Sequence, residues 1–305
     1  MIKIKTITKL EKDLDTISFL TSKVLKRVPV GNKLKITFND LRHEWIFNKL
    51  KPLFDEAYNS ITFDNLINSN NGPIWILWWQ GIEAMPPLVR KCYESVIDNS
   101  NQREVILITK DNYEMYTNLP DFILKKLTMN EMTLTHFSDI IRFNLLKNYG
   151  GLWIDSTVFV NKPITKKYFE RIFTCSGYSS TDHFFVTQGN WTGFLIGGSK
   201  NLELFQFMNA FFEYYWKENN LLLDYFLIDY ALAYAWDKNI DNFKKYSQEV
   251  KGINNPNLFE LYPLLNKKYD VDIMKKISKN TEMYKLSYKG KLSNNMSNFY
   301  HVLFD

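Results

Sequence analysis

SDIIRFNLLKNYGGLWIDSTVFV, residues 138–160, is where a helical hydrophobic pattern turns into an extended one, and the reading of the chain depends on it. Over 139–148, Ile140, Ile141, Phe143, Leu145 and Leu146 supply a packing surface at helical spacing, while Asp139 and Arg142, three apart, share another face. Thr135-His136-Phe137-Ser138 reads as the capping stretch before that helix. Gly150 and Gly151 end it and permit a sharp turn and close backbone approach. The strand read at 152–160 then delivers Asp155 at the strand end where α/β sheets bind ligands, facing a metal ion or a sugar hydroxyl. Singly, each of these residues suits an ordinary ion pair or loop cap. The specificity lies in the whole string.

Outward from this stretch the pattern is one of alternating strands and helices. Asn71-Gly72-Pro73 is a turn signal, followed at once by the β-rich IWILWW at 74–79. Pro86 and Pro87 introduce a helix over 88–98, and EVILITK at 104–110 reads as a second buried strand. Strand, helix, strand implies a parallel α/β unit. A helical segment at 121–127 precedes the central stretch. A shorter α/β portion at 184–199 follows it, then a long aromatic helix over 202–236 and a β segment at 283–290 in a Lys- and Asn-rich tail. Before residue 72, residues 9–71 alternate apolar and charged positions at helical spacing, with Pro52 as the main interruption. The expected organisation is therefore a helical N-terminal extension, 1–71, and a catalytic domain, 72–305.

Composition bounds the function. A chain of 305 residues with 45% hydrophobic content can bury a real core, which excludes global disorder. The net charge of +5 is spread along the chain, without a basic arm or a basic stripe interleaved with aromatics, so nucleic acid is not an expected partner. The N-terminus lacks the apolar run of a secretion signal, and residues 221–236 are interrupted by Asp224 and Asp229, so no membrane span is expected. Cys92 and Cys175 alone make no disulfide framework or cysteine zinc site, which suits a reducing, cytoplasmic setting. Lys23, Lys26, Arg27, Lys33 and Lys35 offer a possible peripheral contact with anionic lipid at the inner membrane face, against the plainer reading of a solvated helix.

The string at 138–160 closely resembles the Ser-Asp-x-x-Arg, then Tyr-Gly-Gly-x-x-x-Asp, pattern of sugar-nucleotide glycosyltransferases with the GT-A fold. It is most similar to the bacterial capsular polysaccharide synthesis glycosyltransferases, relatives of the DXD-containing mannosyltransferases and, more distantly, of the large clostridial toxin glucosyltransferases. The resemblance runs from Pro73 to Val160 and more weakly to Asp229. It implies an α/β, Rossmann-like nucleotide-sugar-binding fold with a mainly parallel central sheet. It also implies transfer from a nucleoside-diphosphate sugar, a UDP-sugar favoured, to a growing surface polysaccharide or lipid-linked oligosaccharide with retention of anomeric configuration.

The resemblance also assigns residues. Trp78 or Trp79 would stack on the nucleotide base, with Gln80 and Gly81 beside it; strand alternation expects one indole in the core and one in the pocket. Ser138, Asp139, Arg142, Gly151, Asp155, Ser156 and Thr157 would hold the donor, Arg142 gripping the diphosphate through its forked donors. Asn190 and Trp191, after Gly189, resemble the loop that meets the sugar. Asp224 or Asp229 would steady the oxocarbenium-like transition state. Five apart, they are about 140° off facing on a regular helix, so one of them is expected in the cleft and the alternatives are a cap and a satisfied buried acid. Asp155 would begin the DXD signature, but Thr157 stands where the second acid belongs. A divalent Mn²⁺ or Mg²⁺ would then rest on Asp155, Thr157, the diphosphate and His301, although a neutral hydroxyl is a weak ligand. The same substitution motivates the alternative of a catalytically weak sugar-nucleotide- or glycan-binding protein.

Overall fold

A computed structural model describes residues 6–61 and 72–304. Two long helices come first. In α1 (Lys9–Arg27), Thr8 Oγ1 accepts from the Glu11 N–H and the Glu11 carboxylate accepts from the Thr8 N–H, a reciprocal cap. The second helix, α2 (Asn32–Asn59), runs through Pro52 unbroken, because Leu50, Leu53, Phe54 and Ala57 on either side of it are buried in one core. The expected interruption is thus absent. The boundary placed at residue 71, with Asn71 of the turn signal, lies outside the described residues.

The strand-helix-strand unit forms as read: β1 (Ile74–Leu77), α3 (Pro87–Asp98) and β2 (Val105–Ile108), with Ile74 paired to Val105 and Leu77 to Ile108 in parallel. Two short helices, α4 (Tyr113–Tyr116) and α5 (Asp121–Thr128), lead to α6 (Leu134–Tyr149) and β3 (Gly151–Ile154), which runs parallel to β1. Next come β4 (Val158–Val160), β5 (Leu195–Gly198), α7 (Glu203–Glu218), α8 (Leu227–Asp237), α9 (Phe243–Glu249), α10 (Val271–Ser278), β6 (Met283–Lys285) and α11 (Phe299–Phe304). The main sheet has the order β2-β1-β3-β5, parallel except for β5, and β4 pairs with β6 in a separate antiparallel ribbon.

Side-chain alternation gives the main sheet a core on each face. Trp75, Ile106, Ile108, Trp153 and Ile196 face a core shared with α2, α6, α7 and α8. Ile74, Ile76, Leu152, Ile154 and Leu195 face the opposite core, with Phe169, Phe173 and β4.

Three local features differ from expectation. First, α6 starts at Leu134 under a cap from the Thr133 side chain to the His136 N–H (3.2 Å), so Ser138 lies inside the helix, its hydroxyl donating to the Thr135 carbonyl at 2.7 Å. Second, the strand read over 152–160 is broken: the Val158 N–H donates to the Asp155 carbonyl (2.9 Å), and the chain turns from β3 into the other sheet. Third, the helix read over 202–236 is two helices. Asn219, fully buried, stops α7 by accepting the Ile7 N–H (2.6 Å), and the Tyr215 hydroxyl takes the Leu223 N–H (2.8 Å).

Candidate active site

The parallel strands β1, β2 and β3 present their carboxyl ends at one sheet edge, and Asp155 is the first residue beyond β3. Its Oδ1 accepts from Trp153 Nε1 (2.9 Å) and from Arg142 (3.3 Å), and its Oδ2 accepts from the Lys285 ammonium at 2.9 Å. The same ammonium reaches Thr157 Oγ1 at 2.8 Å. One turn of α6 joins Arg142 to Asp139 (3.1 Å), and the guanidinium lies 4.8 Å over the Trp153 ring. Acid and base thus alternate as Asp139, Arg142, Asp155 and Lys285. Burial pushes the Asp155 carboxyl up, but Lys285 and Arg142 outweigh it and hold it below the ordinary range.

Asp139, Arg142 and Asp155, three of these four charges, open on a cavity of about 710 Å³, the size of a small-ligand site, with Lys285 behind Asp155 and outside the lining. Ser138, Asp139, Arg142 and Asp155 line one side, and Trp191 and Asp229 line another. The Trp191 indole N–H donates to Asp229 Oδ1 at 3.1 Å, while its ring packs on Trp236 and Phe243. Burial, reinforced by Asp139, drives the Asp229 carboxyl up to about 7 despite Trp191 and Arg142. Phe185, Tyr225 and Phe259 are exposed aromatic rings on the cavity wall, faces on which a sugar or a base can rest.

A family model for capsular polysaccharide synthesis proteins matches residues 28–303. The chain belongs to the capsular polysaccharide synthesis protein family. This family suggests a role in capsule biosynthesis, with a sugar donor and a polysaccharide acceptor in general terms. Comparisons with curated proteins and with solved structures find no match.

In this family member, several residues named from sequence lie away from this cavity. Asp224 is not in the cavity: it is fully buried, paired with Arg42, and its Oδ1 takes the Phe226 N–H at 2.6 Å. The break before α8 separates it from Asp229, so the facing-angle reasoning for one helix does not apply. Gly151 stands at the amino end of β3, about 13 Å by strand rise from Asp155. Its φ of +100° and the Pro73 carbonyl, 2.2 Å from where a Cβ would sit, make it a packing glycine. Trp79 packs on Tyr113 and Phe137 in the core, and Trp78 sits edge-on to Tyr288. Neither Trp lines this cavity, nor do Gln80 and Gly81.

Ser156 and Asn190 adjoin the site, one beside Asp155 and the other between the lining residues Gly189 and Trp191. His301 lies in α11 with its Nε2 3.2 Å from the Ser293 carbonyl, and among the described residues no three His, Cys, Asp or Glu side chains group as metal ligands. Both oxygens of Asp155 and the hydroxyl of Thr157 are already taken by cationic or N–H donors. The residues present therefore do not fit a resident divalent ion.

Lys285, Trp153 and the exposed rings of Phe185, Tyr225 and Phe259 were not singled out from sequence. The indole of Trp153 is two residues from Asp155 and was legible as a same-face neighbour on a strand; Lys285 carries no local signal at all.

Proposed function

We propose that the protein is a retaining glycosyltransferase of GT-A type. It would move a sugar from a nucleoside-diphosphate sugar, a UDP-sugar favoured, to a growing capsular polysaccharide or a lipid-linked oligosaccharide. The observation that carries this reading is Arg142, clamped between Asp139 and Asp155 at a strand end and opening on a ligand-sized cavity. A guanidinium so held offers a rigid fork to a diphosphate. Asp139 and Asp155 orient that fork and accept from sugar hydroxyls. Asp229, steered by Trp191, faces positive charge developing at the anomeric carbon. Incubation with a panel of UDP- and GDP-sugars, following release of UDP or GDP, tests this: release with one donor, lost in Asp155→Ala, supports it, and no release with any donor sinks it.

The raised Asp229 value sets a pH dependence. If the ionised carboxylate is the working form, nucleotide release climbs as pH passes through about 7, and Asp229→Asn flattens that limb and lowers the plateau. The expected loss is about 10- to 100-fold. For stability the sign is opposite. A folded value above the ordinary 3.8 means that the folded chain holds the proton more tightly, so this group's contribution falls as pH rises from there to about 7. A rate profile with no limb near neutrality in the wild-type protein contradicts the role.

Attachment to an anionic bilayer is part of the same proposal. None of the helices among the described residues is long and apolar enough to cross a membrane. On α1, however, Leu10, Leu14, Ile17, Leu20 and Val24 are between 49% and 68% exposed. Leu10, Leu14, Ile17 and Val24 fall within about 80° on a regular helix, with exposed Lys9 and Arg27 on one flank. That is the pattern of an interfacial helix. Co-sedimentation with anionic vesicles should drop about tenfold in Leu14→Ser/Ile17→Ser and be absent with neutral vesicles. Equal binding by wild type and variant contradicts it.

A further inference from the structure

We infer that the Lys285 ammonium, and not a divalent cation, neutralises the diphosphate leaving group, and that Asp155 and Thr157 serve to hold that ammonium in place. This rests on the donor reading above. Lys285 is fixed by its backbone: it faces Val158 across the β4–β6 ladder, its N–H donates to the Leu258 carbonyl (2.7 Å), and the next N–H, of Leu286, donates to the Thr157 carbonyl (2.8 Å). Its side chain then spans Asp155 Oδ2 at 2.9 Å and Thr157 Oγ1 at 2.8 Å, while the Phe194 ring, part of the cavity wall, lies 4.7 Å from the nitrogen. The ammonium thus occupies the position between the first and third residues of the Asp155-Ser156-Thr157 signature.

Charge explains the residue at 157. Asp155 and Thr157 together carry one negative charge, which one ammonium balances; a second carboxylate would be needed before a dication were balanced there. A dication approaching Asp155 would also meet two fixed cations, Arg142 and Lys285. An ammonium has three donors, of which Asp155 and Thr157 take two, leaving one for a diphosphate oxygen. In the transfer, the bond from the anomeric carbon to the β-phosphate oxygen breaks and its electron pair stays on that oxygen. The acceptor hydroxyl oxygen bonds to the anomeric carbon on the same face, and its proton passes to the departing phosphate oxygen. Lys285 and Arg142 stabilise the negative charge that grows on the diphosphate before that proton arrives.

Two measurements on the full chain test this, UDP and GDP binding by calorimetry in chelator and Mn²⁺ binding by electron paramagnetic resonance. Wild-type protein should bind one of the nucleotides without metal and bind no Mn²⁺ up to about 1 mM. Lys285→Met should weaken the diphosphate about tenfold or more, leave the unphosphorylated nucleoside unchanged, and be restored to within about threefold by Lys285→Arg. Lys285→Met/Thr157→Asp should gain Mn²⁺ binding, since two carboxylates then face a freed position. The proposal falls if wild-type binding needs Mn²⁺, or if Lys285→Met and Lys285→Arg bind the diphosphate as wild type does. Binding of neither nucleotide with or without Mn²⁺ overturns it together with the donor reading, a result distinct from metal-dependent binding.

Discussion

Arg142→Ala should lower nucleotide release from the preferred donor by about a thousandfold, mostly in kcat, with the fold intact by circular dichroism. The reason is geometric. Arg142 has a carboxylate on either side, Asp139 at 3.1 Å and Asp155 at 3.3 Å, so its loss removes the central cation and leaves two buried or half-buried acids repelling the diphosphate. Arg142→Lys should recover little of this, because a single ammonium cannot span both carboxylates and still face the donor. A fall of less than about tenfold in Arg142→Ala would show that the charge on the leaving group is met elsewhere.

The second large effect is on stability. Arg42 reaches Asp15 at 2.6 Å and also pairs with Asp224, and all three side chains are almost wholly buried. Its Nε reaches Ser18 at 3.1 Å, tying α1 to α2 and both to the turn that starts α8. One cation serves two acids, and burial together with Asp224 pushes Asp15 up to about 7. Arg42→Ala should therefore cost about 3–5 kcal/mol in urea unfolding, because Asp224 is left buried without a cation and Asp15 keeps only the partly exposed Lys12, 3.6 Å away. Since the folded value of Asp15 lies above the ordinary 3.8, stability from its proton falls as pH rises from there to about 7. Without Arg42, Asp15 should hold its proton more tightly still, so the deficit should widen between pH 6 and pH 8, by up to about 1.4 kcal/mol per pH unit. A deficit below about 1 kcal/mol, or one independent of pH, contradicts this account. The triad also explains Asp224: it braces the approach to α8, and the helix it braces carries Asp229 into the cavity.

What sequence could reveal was local. Asp139, Arg142 and Asp155 lie within 17 residues, and one helix, one glycine pair and one strand suffice to bring them together. The strand-helix-strand unit was equally legible, because two short continuous apolar runs and the Asn-Gly-Pro and Pro-Pro signals mark it directly. The aromatic run at 202–236 was not, since its hydrophobic pattern is continuous and the break is made by long-range bonds, from Asn219 to Ile7 and from Arg42 to Asp224. Pro52 erred the other way: local rules read a stop, and burial of Leu50, Leu53 and Phe54 carried the helix through. Lys285 is the clearest case. It is 130 residues from Asp155, and only the pairing of β6 with β4 places it there. The expectation of a metal ion came from the resemblance to DXD-containing transferases, and in the proposal Lys285 is the residue that replaces it.

The central claim is that a nucleoside-diphosphate sugar sits with its diphosphate on Arg142 and its sugar in the cavity toward Asp229. A crystal soaked with the donor that gives the fastest nucleotide release tests it most directly. The account predicts diphosphate oxygens within hydrogen-bond distance of the Arg142 guanidinium and the sugar ring in the cavity lined by Trp191 and Asp229. A donor bound with its diphosphate away from Arg142, or a cavity left empty at saturating donor, would contradict it.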